Sequence, residues 1–158
     1  MIALIIMAAV FSAYLLATWK KGKIASSISA SFYNWGTWKR VYFIGMCWGI
    51  SVPVVVVSIV PWYWANAFLI AGAMCIMLVG TFADFKHSKI EEWLHVIPSY
   101  GGILLSLVGL GILTSWAFLG IFIGAMGLLK WFFKVNNLTW WVEIAAFICI
   151  WLGLLVTL

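Results

Sequence analysis

Residues 83–102 read ADFKHSKIEEWLHVIPSYGG, and the reading of this polar island decides the fold. It carries both histidines, His87 and His95, and three of the four carboxylates, Asp84, Glu91 and Glu92. An apolar run of about 65–83 leads into it, and a second, about 93–113, begins within its second half and continues beyond it. Apolar runs of about 20 residues match the thickness of a bilayer's hydrocarbon core. The island therefore reads as the connection of a transmembrane hairpin.

Composition extends that reading to the whole chain. Of 158 residues, 66% are hydrophobic and only 8% are charged, whereas a soluble domain carries about 25% charged residues. A water-soluble globule of this size has too much surface to hide so much apolar material. Twelve tryptophans suit the headgroup level of a membrane. Cys47, Cys75 and Cys149 lie far apart, each inside an apolar run. That spacing fits neither a disulfide framework nor a zinc knuckle, and small buried packing side chains account for it.

Outward from the island, the apolar runs predict an all-α transmembrane bundle of six spans in three hairpins, a single integral membrane domain over 1–158. The spans are about 2–18, 41–60, 65–83, 93–113, 117–133 and 139–156. The first reads as a span rather than a signal peptide, because no positive residue precedes it and no small-x-small site follows. Residues 24–36, IASSISASFYNWG, are too short and too polar to cross, and read as an interfacial segment on the membrane surface. Pro53 predicts a kink in the second span.

Charge orients the bundle. Lys20, Lys21, Lys23, Lys39, Arg40, Lys86, Lys89, Lys130 and Lys134 all fall in or beside the first, third and fifth connections. The positive-inside rule puts those connections in the cytoplasm and both termini outside, in the cell's inner (plasma) membrane. The net charge of +5 then answers to anionic lipid, with no nucleic acid required.

The same topology brings every carboxylate and imidazole to one depth, near the cytoplasmic leaflet. Ionisable groups there are costly and turn toward a cavity or a partner. The candidate catalytic residues are Ser29, Asp84, His95 and Glu143; the candidate metal ligands are His87, Glu91 and His95, with zinc as the candidate cofactor. On one continuous helix Asp84, His87, Glu91 and His95 would share a face. However, Ser88-Lys89-Ile90-Glu91 matches the capping box. It starts the helix at Ser88, leaves Asp84 and His87 in the connection, and keeps only Glu91 and His95 on a common face. Pro98 frees the Leu94 carbonyl as an acceptor beside His95. The plainer reading stands next to this one: solvated charges in a short loop, a histidine packed at the interface, and Glu143 neutralised by Lys130 or Lys134.

Ser27 and Ser29 before one span, then Asp84 and His95 leading into another, resemble the pattern of small polytopic DRAM-like membrane proteins, and more loosely that of alkaline-ceramidase-like membrane hydrolases. The stretches 27–33, SISASFY, and 95–98, HVIP, also resemble small polytopic membrane proteins carried on mobile elements. The resemblance spans 27–98 at most. The ceramidase likeness implies zinc held by three histidines, two of them in a late H-x-x-x-H motif. No histidine follows His95 here, so Glu143 or His87 would have to substitute.

Interaction competes with enzymology. Gly120, Gly124 and Gly127 lie at helical spacing on the fifth span, and Gly101, Gly102, Gly109 and Gly111 crowd the fourth. Such residues let helices approach closely, within the chain or between copies in a homo-oligomer or larger membrane complex. Two readings follow. One is a structural or interaction protein whose polar cluster locks helix ends at the cytoplasmic leaflet. The other is a small, metal-dependent, lipid-acting hydrolase using His95 with Asp84, Glu91 or Glu143. Membrane lipid is a partner in both.

Overall fold

The computed structural model describes residues 1–20, 25–36, 40–59, 63–86, 88–132 and 137–157. Hydrocarbon offers the backbone no hydrogen bonds, so an apolar chain satisfies its N–H and C=O groups internally as helix. Helices are α1 (Ile2–Lys20), α2 (Val41–Ile59), α3 (Asn66–Thr81), α4 (Lys89–Leu113), α5 (Ala117–Gly127) and α6 (Leu138–Thr157). A 3-10 turn, Ser29–Asn34, follows α1, and a π turn, Leu128–Phe132, extends α5. No strand occurs among the described residues.

Four helices, α1, α2, α4 and α6, are long and apolar enough to cross a membrane. Helices α3 and α5 occupy the other two expected spans but are shorter, with 16 and 11 residues. At 1.5 Å per residue α3 reaches only about 24 Å. The fourth helix begins earlier than its hydropathy suggests, because Ser88 caps it. Ser88 is extended (φ −146°, ψ 155°) and its Oγ accepts from Glu91 N at 3.2 Å. Glu91 and Glu92 then sit in the first turn, where the helix dipole favours negative charge. Pro53 and Pro98 lie inside α2 and α4, and both helices continue through them.

Neighbouring helices run antiparallel. The end of α1 meets the start of α2 through Tyr14 and Phe43, with rings 6.0 Å apart. At the far end Trp151 Nε1 of α6 donates to Leu4 O of α1 at 2.9 Å. Helix α3 packs most extensively, on α4 and on α2. Glycines make the α3–α4 seam tight: a Cβ on Gly72 would lie 2.3 Å from Ser106 Oγ and 2.9 Å from Gly102 O. Helix α5 packs on α6 and α4 but has no buried residue.

Exposed side chains suit lipid rather than water. Trp48, Val52, Met74, Leu78, Leu104, Ile121, Ile148 and Leu152 are exposed along the helix bodies. Most exposed aromatics gather at helix ends, Trp19, Tyr42, Trp93 and Trp131 at the end bearing Lys20, Lys89 and Lys130, and Tyr63, Trp64 and Trp116 at the other, while Trp48 and Tyr100 lie along the bodies of α2 and α4. Two aromatic girdles bounding an apolar band are the surface expected of a membrane protein.

Candidate functional site

At the lysine-rich end, residues 25–36 pack one face onto the bundle, while Ser26, Asn34 and Gly36 stay exposed. Ile28, Ser31, Phe32 and Trp35 are buried with Phe11, Tyr14, Phe43, Cys47, Val79 and Trp140. The serines make this burial tolerable by satisfying local backbone and one another. Ser27 Oγ accepts from Ala30 N at 2.9 Å and shares a hydrogen bond with Ser29 Oγ at 3.0 Å. Ser31 Oγ donates to Ile28 O and pairs with Tyr14 OH at 2.6 Å. Ile28 N donates to Glu143 Oε2 of α6. A carboxylate from a helix distant in sequence thus caps the N-terminal end of the 3-10 turn.

His95 points inward, with 2% of its surface exposed. Its ring stacks on Phe85, centroids 4.1 Å apart at 23°. Nδ1 lies 3.1 Å from Phe82 O. A carbonyl only accepts, so Nδ1 carries the proton. Nε2 is buried and has no hydrogen-bond partner among the described residues. Pro98 does not supply the acceptor at Leu94 that its position suggests; the acceptor comes from the end of α3. Behind the ring, Ser99 Oγ donates to His95 O at 2.7 Å.

Asp84 pairs with Arg40 at 3.3 Å, both partly exposed. The Arg40 guanidinium also lies 4.9 Å from the Phe32 ring centroid, and Lys86 Nζ lies 4.1 Å from that of Tyr33. Lys86 N donates to Tyr33 OH at 3.0 Å. Burial is the chief cause that raises the Tyr33 phenol above its ordinary pKa, so it stays neutral and able to accept. These contacts clasp the 82–86 connection onto the 3-10 turn.

The structure therefore brings two of the four candidate catalytic residues to one place. Ser29 and Glu143 line a cavity of ≈ 120 Å³ in the middle of the bundle. His95 and Asp84 face other partners. Glu91 shares a helix face with His95, yet its buried Oε2 has no partner, and Arg40–Asp84 is the one ion pair among the described residues. No three His, Cys, Asp or Glu side chains among those residues group to hold a metal. His87, the third candidate ligand, lies outside the described residues.

Three further cavity residues, Ser51, Ser99 and Ser106, come from three hydroxyl positions on α2 and α4. Their sequence signal is weak, because each is a single polar residue inside an apolar run. Tyr14 is likewise visible in sequence only as one hydroxyl near the end of α1. A second, larger cleft of ≈ 660 Å³ opens at the opposite end, with Ser58, Asn66, Thr114 and Ser115 on its walls. No family model, curated protein or solved structure matches this chain.

Proposed function

We propose that the chain is a structural or interaction protein of the inner (plasma) membrane, crossing it six times with both termini outside the cytoplasm. One observation supports the structural role above the others. Glu143, His95 and Asp84 each bind a different partner in another element: Ile28 N, Phe82 O and Arg40. Each joins a connection to a helix end, and none bonds to another candidate catalytic group. Polar side chains used this way lock the lysine-rich end of the bundle. Helix α5 supports the interaction half of the reading, since among the described residues nothing lies within 4 Å of a Cβ placed on Gly120, Gly124 or Gly127. Close approach by a helix of a second copy or of another membrane protein needs such a face.

The hydrolase reading keeps one specific support, Ser29 and Glu143 on the wall of one apolar cavity. Turnover separates the two. The purified protein would be incubated with phospholipid and ceramide, with and without added Zn²⁺. The structural reading expects no product. Product formation that Ser29→Ala or Glu143→Gln abolishes, in protein that still unfolds cooperatively, would sink it.

A further inference from the structure

The central cavity has an uneven chemistry. Its walls are mostly hydrocarbon, with Phe11, Phe43, Ile50 and Phe147 among them, and Glu143 is its one charged wall residue. One Glu143 oxygen accepts from Ile28 N, while a carboxylate has about four lone-pair positions. Among the described residues no cation pairs with it. Ser51, on α2, lines the same space, is 2% exposed, and its Oγ has no hydrogen-bond partner among the described residues. Buried polar atoms are nearly always satisfied, so an orphan hydroxyl facing a cavity points to a missing partner.

We propose that this cavity is a binding site for a small hydrophobic amine, with Glu143 as counter-ion and Ser51 as a hydroxyl partner. An ammonium carries donors and no acceptor, the complement of a carboxylate in apolar surroundings. Anions are excluded by the same charge. The volume sets the size: a dry cavity of about 150 Å³ takes benzene, so ≈ 120 Å³ suits a short alkyl chain rather than a ring. The aromatic walls add attraction for the cation. The proposal stands apart from the helix-end locking argued above, because Glu143 can serve Ile28 and a ligand with different lone pairs.

The test uses the whole purified protein in nanodiscs and three probes of similar shape, propylamine, 1-chloropropane and butyrate, read by calorimetric titration. Propylamine should bind saturably and about tenfold or more tighter than 1-chloropropane, the usual gain for a hydrogen bond to a charged group; butyrate should not bind. Glu143→Gln keeps an oxygen for Ile28 N and should reduce propylamine to the level of 1-chloropropane. Ile103→Phe, which fills the cavity from α4, should remove both. Equal binding of propylamine and 1-chloropropane, or no saturable binding, overturns the proposal on the unmodified chain alone. Unchanged propylamine binding in either variant overturns it too, by showing that the amine sits in lipid.

Discussion

The His95 ring fills the junction between the end of α3 and the start of α4, stacked on Phe85 and hydrogen-bonded to Phe82 O. Two contributions can be separated by substitution. His95→Ala removes the ring and the hydrogen bond, at a cost of roughly 3 kcal/mol. His95→Phe keeps a ring to stack and loses only the Nδ1–H donor, at a cost of about 1 kcal/mol. Thermal unfolding in detergent should rank wild type above Phe above Ala. An alanine variant as stable as wild type would show that the ring locks nothing. That His95 turns inward was legible, since a histidine one turn into an apolar helix has little else to face. Its partner was not. Helix side chains lean toward the N-terminus, whereas the Leu94 carbonyl freed by Pro98 points along the helix the other way. The ring therefore reaches back to the 82–86 connection, whose folding no local pattern reveals.

Among the elements, the glycines divide by what surrounds them. Those of α3 and α4 meet neighbours: Gly72 meets Ser106 and Gly102, Gly102 meets Ile76, and Gly109 meets Leu69 and Phe68. Those of α5 meet nothing within 4 Å among the described residues. Sequence spacing cannot tell these cases apart, because a small-residue stripe looks the same whether or not it is covered. The consequence is measurable. Gly72→Ala puts a methyl group 2.3 Å from Ser106 Oγ, so α3 and α4 must move apart, at about 1–3 kcal/mol. Gly124→Leu, which an intramolecular seam would make destabilising, should leave the melting temperature of the monomer unchanged. If α5 is an interaction face, Gly124→Leu should instead weaken self-association seen by cross-linking in membranes. The start of α4 offers a contrasting case, where a local pattern sufficed. The capping box at Ser88 read correctly as the helix start, because the bond from Glu91 N to Ser88 Oγ joins residues only three apart. Ser88→Ala should cost about 1 kcal/mol, checked by the shift in thermal unfolding. How the 24–36 segment docks on the bundle was not legible, because its contacts to Glu143 and Tyr14 come from residues remote in sequence or on another helix.

For the whole molecule, hydrophobic runs located all six helices, since a 20-residue apolar stretch has few alternatives to helix. They did not reveal that α3 and α5 fall short of a full span. Those two lengths make topology the main question, because a chain with four crossings would turn its connections differently from one with six. The antiparallel contacts of α1, α2, α3 and α4 put Lys20, Arg40, Lys86 and Lys89 at one end, and Lys130, in the turn that packs on α6, lies at that end as well. If all six helices cross, an impermeant thiol reagent should reach cysteines placed at Lys20, Lys89 and Lys130 only from the cytoplasmic side. It should reach cysteines placed at Ser115 and Thr157 only from outside. The background needs Cys47, Cys75 and Cys149 replaced by alanine; Cys47 and Cys149 are buried, so stability of that background is measured first. The positions after α4 decide between the models of crossing. Should α5 lie along the surface instead of crossing, Ser115 and Lys130 would be labelled from the same side, and the six-span topology would fall. The alternation of lysine-bearing and lysine-free connections argues for opposite sides, because a α5 folded back on one face would leave Lys130 beside Ser115 and Trp116, away from the other cations.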